Sequence, residues 1–334
     1  MSGLKLAVSI EKLEFSAPFR IAGRVFEHQD AVVVSVDDGT QCGRGEASGV
    51  FFLGERVEQM AAQIEAQRGT IERGIDRDSA QHLLPPGGAR NALDCALWEL
   101  EARRAGRPVW ALAGLTQPKP LLTTFTLGAD TPELMAAGAR RFGAARALKV
   151  KLTGELALDA ARVARVRAAR PDVWLGVDAN QGYSLELLPK LTRFLVDARV
   201  ELLEQPVARG HEAGLEDYVS PIPIAADESA LVLGDIAGLV GRFDVVNIKL
   251  DKCGGLTEGL AMAHEARRLG LKVMVGNMMG TSLAMAPAFV LGQLCDVVDL
   301  DGPTFLRQDR VPGVRYSDGL IECDAAVWGS PRAA

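Results

Sequence analysis

ALKVKLTGELALDAARVARVRAARPDVWLGVDANQGYSLELLPKLTRFLVDARVELLEQP, residues 147–206, holds three short apolar runs. They are ALKVKL (147–152), WLGVDAN (174–180) and VELLEQP (200–206), with helical spacing at 157–169 and 184–197 between them. Runs this short, bounded by Gly, Pro and Asn, read as strands, and the stretches between place apolar residues three and four apart. Strand, helix, strand is the crossover unit of a parallel sheet. The texture starts with TTFTL (123–127) and continues through PIAADES (223–229), DVVNIKL (244–250), KVMVGN (272–277) and DVVDLDGP (296–303), with further helices at 255–269 and 282–294. Eight strands alternating with helices predict an α/β fold, and eight is the number that closes a barrel. An open doubly wound sheet is the alternative, but no GxGxxG follows an early strand.

The first part of the chain, to about residue 110, reads differently. Residues 4–14 and 31–36 alternate apolar and polar, Asp37-Asp38-Gly39-Thr40 is a hairpin signal, and Gly43-Arg44-Gly45-Glu46-Ala47 resumes an extended segment. Helical spacing at 55–67 and 88–105 predicts helices over an antiparallel sheet. The expected division is an α+β domain at 1–115, the barrel at 116–310 and a C-terminal segment, 311–334, returning to the first domain.

Chemistry-bearing residues recur with the period of the strands. Lys151, Asp178, Glu204, Asp227 and Lys252 follow one another at intervals of 27, 26, 23 and 25 residues, each at the end of an apolar run. In a barrel the carboxyl ends of the strands carry the site. Three hard oxygen donors from separate strands suit Mg²⁺ or Mn²⁺ rather than zinc, and burying several carboxylates without a cation is costly. Lys149 and Lys151 lie two apart on a strand, so both amines face the barrel interior. Alternation alone does not choose between Lys249 and Lys252 as the inward lysine of the opposite wall. Lys252 is preferred because it stands at the strand end against Gly254-Gly255. A metal flanked by lysines fits removal of a proton next to a carboxylate, with an enediolate neutralised by the metal and bases on both faces. The outcome is racemisation or epimerisation. A Schiff-base aldolase needs no such carboxylates, and a barrel that only binds ligand stays open because fold does not fix function.

Composition narrows the partners. With 334 residues, 48% hydrophobic, the chain buries one large core and a smaller one. A net charge of −6 with both signs interspersed gives no basic stripe for nucleic acid or an anionic membrane, and no apolar run reaches a membrane span. The N-terminus alternates like a strand, unlike a signal peptide, and five scattered cysteines fit free thiols, so a cytoplasmic location is expected. A homo-oligomer is compatible with the sequence.

The ordered set LKVKL, VDANQGY, LLEQP, AADES, NIKLDKCGG and the helix ALDCALWEL (92–100) resembles the enolase superfamily, within it the muconate lactonizing enzyme subgroup. The resemblance implies a capping domain over a modified (β/α)7β barrel of TIM type and Mg²⁺ on Asp178, Glu204 and Asp227. It also implies Lys151 and Lys252 as acid/base pair, with Lys149 assisting. Asp299-Leu-Asp301 places two carboxylates on one strand face, a clamp for an ammonium, and looks like the Asp-x-Asp motif of dipeptide epimerases. Arg24 matches the arginine that contacts the glutamate side chain in L-Ala-D/L-Glu epimerases, so a dipeptide with Glu or Asp second is the expected substrate. N-acylamino acid racemisation and cycloisomerisation use the same site and are the alternatives. Phe51-Phe52-Leu53-Gly54 reads as a lid loop or as interdomain packing. One departure stands out: where the family often has Gly-Cys-Met followed by Glu, this chain reads Gly276-Asn277-Met278-Met279-Gly280.

Overall fold

The structure, a computed structural model, describes residues 3–21 and 24–331, without the side chains of Ile21 and Arg24. Strands β1 (Lys5–Ile21), β2 (Arg24–Asp37) and β3 (Cys42–Ala47) form an antiparallel sheet in that order. The hairpin signal lies between β2 and β3, where Asp38 Oδ1 accepts from the amides of Thr40 and Gln41 and Gly39 adopts a φ of 90°. Helix Gly88–Ala105 lies across this sheet. The approach is close because β3 carries glycine on the facing side: a Cβ at Gly43 or Gly45 would stand 2.0 Å from the carbonyl oxygen of Ala96 or Ala92. Val32, Val34, Leu93, Ala96 and Leu97 fill the core between them.

A short strand β4 (Leu121–Leu122) precedes eight strands in one sheet: β5 (Thr124–Leu127), β6 (Ala147–Lys151), β7 (Trp174–Asp178), β8 (Leu202–Glu204), β9 (Ile224–Ala226), β10 (Val245–Ile248), β11 (Lys272–Val275) and β12 (Val297–Val298). Every neighbouring pair is parallel. β12 does not form a ladder with β5 among the described residues; side chains bridge the seam instead. Leu300 N donates to Thr123 Oγ1 at 2.9 Å, Thr124 Oγ1 to Asp299 Oδ1 at 2.5 Å, and Thr126 N to Asp301 Oδ2 at 2.6 Å. A hairpin of β13 (Arg315–Ser317) and β14 (Leu320–Glu322) pairs with β4, and Trp328 Nε1 then donates to Arg44 O in the first domain.

Helices Pro132–Arg141, Leu156–Ala169, Leu188–Asp197, Leu256–Arg268 and Ser282–Gly292 pack on the outside. The connections after β8 and β9 depart from the strand–helix repeat and carry only 3₁₀ turns, Glu212–Leu215 and Leu233–Leu239. Pro221 and Pro223 deny amide donors to the first, and Gly234, Gly238 and Gly241 raise the backbone entropy cost of a helix in the second. Inside the barrel the strands alternate with depth. Leu202, Ala225, Val245 and Met274 form an apolar floor with Trp174 and Val297 beside them. Two residues further along, the same faces reach Glu204, Asp227, Asn247 and Asp299, so β8, β9, β10 and β12 turn from apolar to polar as they approach their carboxyl ends. No described helix is long and apolar enough to cross a membrane, and none of the five cysteines is in a disulfide.

Candidate active site

Asp178 ends β7, Glu204 ends β8 and Asp227 follows β9, and each offers an oxygen within 4.8 Å of the others. All three are at most 1% exposed. Lysines hold them. Lys151 Nζ lies 2.5 Å from Asp178 Oδ2. Lys149 Nζ lies 3.2 Å from Glu204 Oε2 and 2.5 Å from Asp299 Oδ2, and Lys249 Nζ 2.6 Å from Asp227 Oδ2. Burial and the Asp178 charge push the Glu204 carboxyl up to about 7. Burial would also raise Asp227, but the Lys249 and Lys252 ammoniums outweigh it and hold that carboxyl well below its usual range. Likewise burial would lower Lys149, yet Asp299, Glu204 and Asp178 carry it well above its ordinary value.

The structure corrects the choice between the two lysines of the opposite wall. Lys249 lines the cavity, whereas Lys252 does not. Its side chain is fully buried behind Asp227, where Nζ donates to Asp227 Oδ1 and O, both at 2.6 Å, and to Asn247 O at 2.9 Å. The reason is the end of β10 at Ile248: the chain turns at once into the short helix Leu250–Cys253, which carries Lys252 round to the back of Asp227. Lys249 continues the inward series of Val245 and Asn247, and Gly276 on β11's far end makes room for it. A Cβ there would stand 2.7 Å from Asn247 Oδ1 and 2.9 Å from Lys249 Cε. Since β6 and β10 are four strands apart in an eight-stranded order, Lys151 and Lys249 face the triad from opposite sides.

The rest of the cavity is shared between the domains. Asp299 and Asp301 stand on its wall beside Thr126 and Asn277. Burial and the neighbouring Asp299 charge raise Asp301 to about 7, while Lys149 overcomes burial and holds Asp299 low. Phe19, Phe26, Phe51 and Phe52 of the first domain form the roof with Met278 and Met279. Phe26, Phe51 and Phe52 meet edge to face at centroid distances of 5.5 and 5.6 Å. Arg24 begins β2, and its side chain lies outside the described residues. Gly280 follows Met279, and a Cβ there would come within 2.9 Å of Ala284 Cβ and 3.2 Å of Glu46 Oε1. A glutamate there would meet a carboxylate already in place.

The donor set fits a divalent cation. Six buried carboxylates, Asp178, Glu204, Asp227, Glu228, Asp299 and Asp301, face the four ammoniums of Lys149, Lys151, Lys249 and Lys252. The upward push on Glu204 and Asp301 marks acidic groups gathered with too little positive charge beside them, which one such ion supplies. Residues 133–326 match the family described as enolase C-terminal domain-like, and residues 5–114 match the mandelate racemase / muconate lactonizing enzyme N-terminal domain. The chain belongs to this enolase-superfamily group. Among its mandelate racemase / muconate lactonizing enzyme relatives is the L-Ala-D/L-Glu epimerase of Escherichia coli K12, 40% identical over 91% of this chain and 95% of that protein. A solved enolase family member from Agrobacterium tumefaciens, with homology to dipeptide epimerases and with bound sodium and L-Ala-L-Glu, superimposes with a TM-score of 0.94. It is 38% identical and covers 98% of this chain and 100% of its own. The dipeptide epimerase of Methylococcus capsulatus, complexed with Mg and L-Arg-D-Lys, has a TM-score of 0.91 at 31% identity, over 97% of this chain and 98% of its own.

Proposed function

We propose that this protein is a dipeptide epimerase that inverts the α-carbon of the C-terminal residue. It is an enzyme acting on amino acid derivatives, and its cofactor is Mg²⁺, for which Asp178, Glu204 and Asp227 are the ligands. When bound, the ion neutralises the substrate carboxylate next to the carbon that loses its proton. The observation that carries the reading is the pair Lys151 and Lys249 on opposite flanks of the triad, both on the cavity wall. One lysine removes the α-hydrogen and the other returns a proton to the opposite face, giving inversion. Lys149, held between Glu204 and Asp299, stays cationic and stabilises negative charge developing on the substrate.

Asp299 and Asp301 take the free ammonium of the first residue, which favours a dipeptide over an N-acylated amino acid. Arg24 at the start of β2 is assigned to the second side chain, with L-Ala-D/L-Glu as the preferred substrate. Residues 1–115 cover the site and 116–310 carry it. Residues 311–334 return to the cover, a division supported by Arg44 Nη2 donating to Val327 O at 2.9 Å.

The test is incubation of L-Ala-L-Glu in D₂O with the metal-loaded enzyme. Deuterium enters the glutamate α-carbon together with inversion, and chelation stops both. Exchange that survives chelation sinks the metal-dependent reading. Asp299→Asn raises KM for dipeptides by roughly 10-fold or more, the scale of a lost bond to a charged group, and affects N-acyl substrates less, through Lys149 alone.

A further inference from the structure

Glu228 follows the third metal carboxylate and has no place in the mechanism above. It is 4% exposed, lines the cavity, and its Oε2 is sealed from solvent with no donor among the described residues. A carboxyl oxygen buried without a hydrogen-bond partner is costly whether or not the group carries a proton, and calls for a missing partner. The lysines around it are already engaged: Lys151 holds Asp178, Lys149 holds Glu204 and Asp299, and Lys249 and Lys252 both hold Asp227. Asn180 repeats the situation two residues after Asp178. Its amide Oδ1 is buried without a donor, it lines the same cavity, and its φ of 43° is one that non-glycine residues rarely adopt. Two unpartnered acceptors thus stand directly beyond two of the three metal carboxylates.

We infer that Glu228, with Asn180, accepts from a water molecule carried by the metal ion. This rests on the metal reading of the triad. Mg²⁺ prefers six oxygens and gives up water reluctantly, so three protein carboxylates and a substrate carboxylate leave room for a retained water. Such a water is a polarised donor, and groups that hold it orient the coordination sphere. The substrate ammonium is the wrong donor for Glu228, because its clamp, Asp299 and Asp301, lies beyond β12, three strands round the barrel from β9.

The experiment is calorimetric titration of Mn²⁺ and Mg²⁺ into the full-length protein without substrate, comparing wild type with Glu228→Ala and the isosteric Glu228→Gln. Glu228→Ala weakens metal binding by about 10–100-fold, the usual effect of losing such a partner. Glu228→Gln, whose amide oxygen still accepts, recovers part of the loss. At saturating metal the dipeptide KM stays within about twofold of wild type, since the group serves the ion. Unchanged metal affinity in Glu228→Ala overturns the assignment and leaves the proposed epimerase standing. So does a raised KM at saturating metal with affinity preserved, which would make Glu228 a substrate group. A wild-type chain that binds neither ion removes the metal reading and this inference together.

Discussion

Lys249 and Lys252 stand three residues apart, yet only one of them meets the cavity. Lys249→Met is expected to lower inversion by about 10²–10⁴-fold, the range of a lost acid/base group. Exchange without inversion persists for the epimer whose α-hydrogen faces Lys151, which NMR in D₂O resolves. Lys252→Met leaves Asp227 with one buried cation fewer, a loss on the order of 3–5 kcal/mol of stability. It should retain inversion at saturating metal. Loss of inversion in Lys252→Met with unchanged urea unfolding would reverse the two roles. The metal carboxylates were legible in the sequence because Asp178, Glu204 and Asp227 each close an apolar run, where period and residue type agree. Lys249 was not, because alternation loses its meaning where β10 stops at Ile248 and a helical turn begins. A signal was present all the same: Asn247, polar within DVVNIKL, marks the inward face two residues before Lys249, as Lys149 does before Lys151. Glu228 and Asn180 lie past strand ends, where no periodicity constrains them.

At the level of elements, the barrel strands appear where the apolar runs predict them, since a buried parallel strand is written in a few consecutive residues. The seam was not legible: β12 is two residues long, and its closure depends on threonine and aspartate side chains rather than a ladder. The loop that brings Phe51 and Phe52 over the cavity is likewise fixed by contacts remote in sequence. Its near end is tied by Asp251 Oδ1, which accepts from Ser48 N at 2.9 Å and Gly49 N at 3.1 Å, and by Ser48 Oγ donating to Met279 O. Its far end is tied by Glu55, which accepts from Val50 N at 2.8 Å and from Gly88 N at 3.1 Å. Between the ties, Gly49 and Gly54 adopt φ of 73° and 77°, conformations open to glycine. Glu55→Ala should loosen the roof without touching the lysines, raising KM by roughly 10-fold for two lost charge-assisted bonds and changing kcat less. Glu55→Gln, which keeps an acceptor, should restore much of the affinity. Steady-state kinetics on L-Ala-L-Glu decide it, and an unchanged KM in Glu55→Ala would show that the roof holds itself.

Across the whole molecule, the two domains are joined by buried carboxylates that each reach into the other. Glu46 accepts from Thr281 N and Oγ1 at 2.7 and 2.6 Å and from Arg310 Nη2 at 2.7 Å. Asp94 accepts from Thr257 N and Oγ1 at 3.0 and 2.6 Å, and Asp251 from the roof loop. Burial pushes Asp94 up to about 6, and burial with the charges of Glu55 and Glu46 pushes Asp251 up to about 7. In the unfolded chain an aspartate titrates near pH 4. Between about pH 4 and 7 the folded protein therefore keeps a proton on Asp251 that the unfolded chain has released. Stability then falls as pH rises through that window, by at most about 1.4 kcal/mol per pH unit, and the loss levels off once both states are ionised. Asp251→Asn keeps an acceptor for the two roof amides but cannot ionise. Its stability relative to wild type should be nearly level at about pH 4, climb steadily toward pH 7 and flatten above it. Urea unfolding of both proteins across this range, with chelator present so that the metal site is equal in each, measures the difference directly. Asp94→Asn should follow the same course over a shorter window that closes near pH 6. A difference independent of pH in either variant would mean that the carboxylate at that joint is already ionised when the domains close.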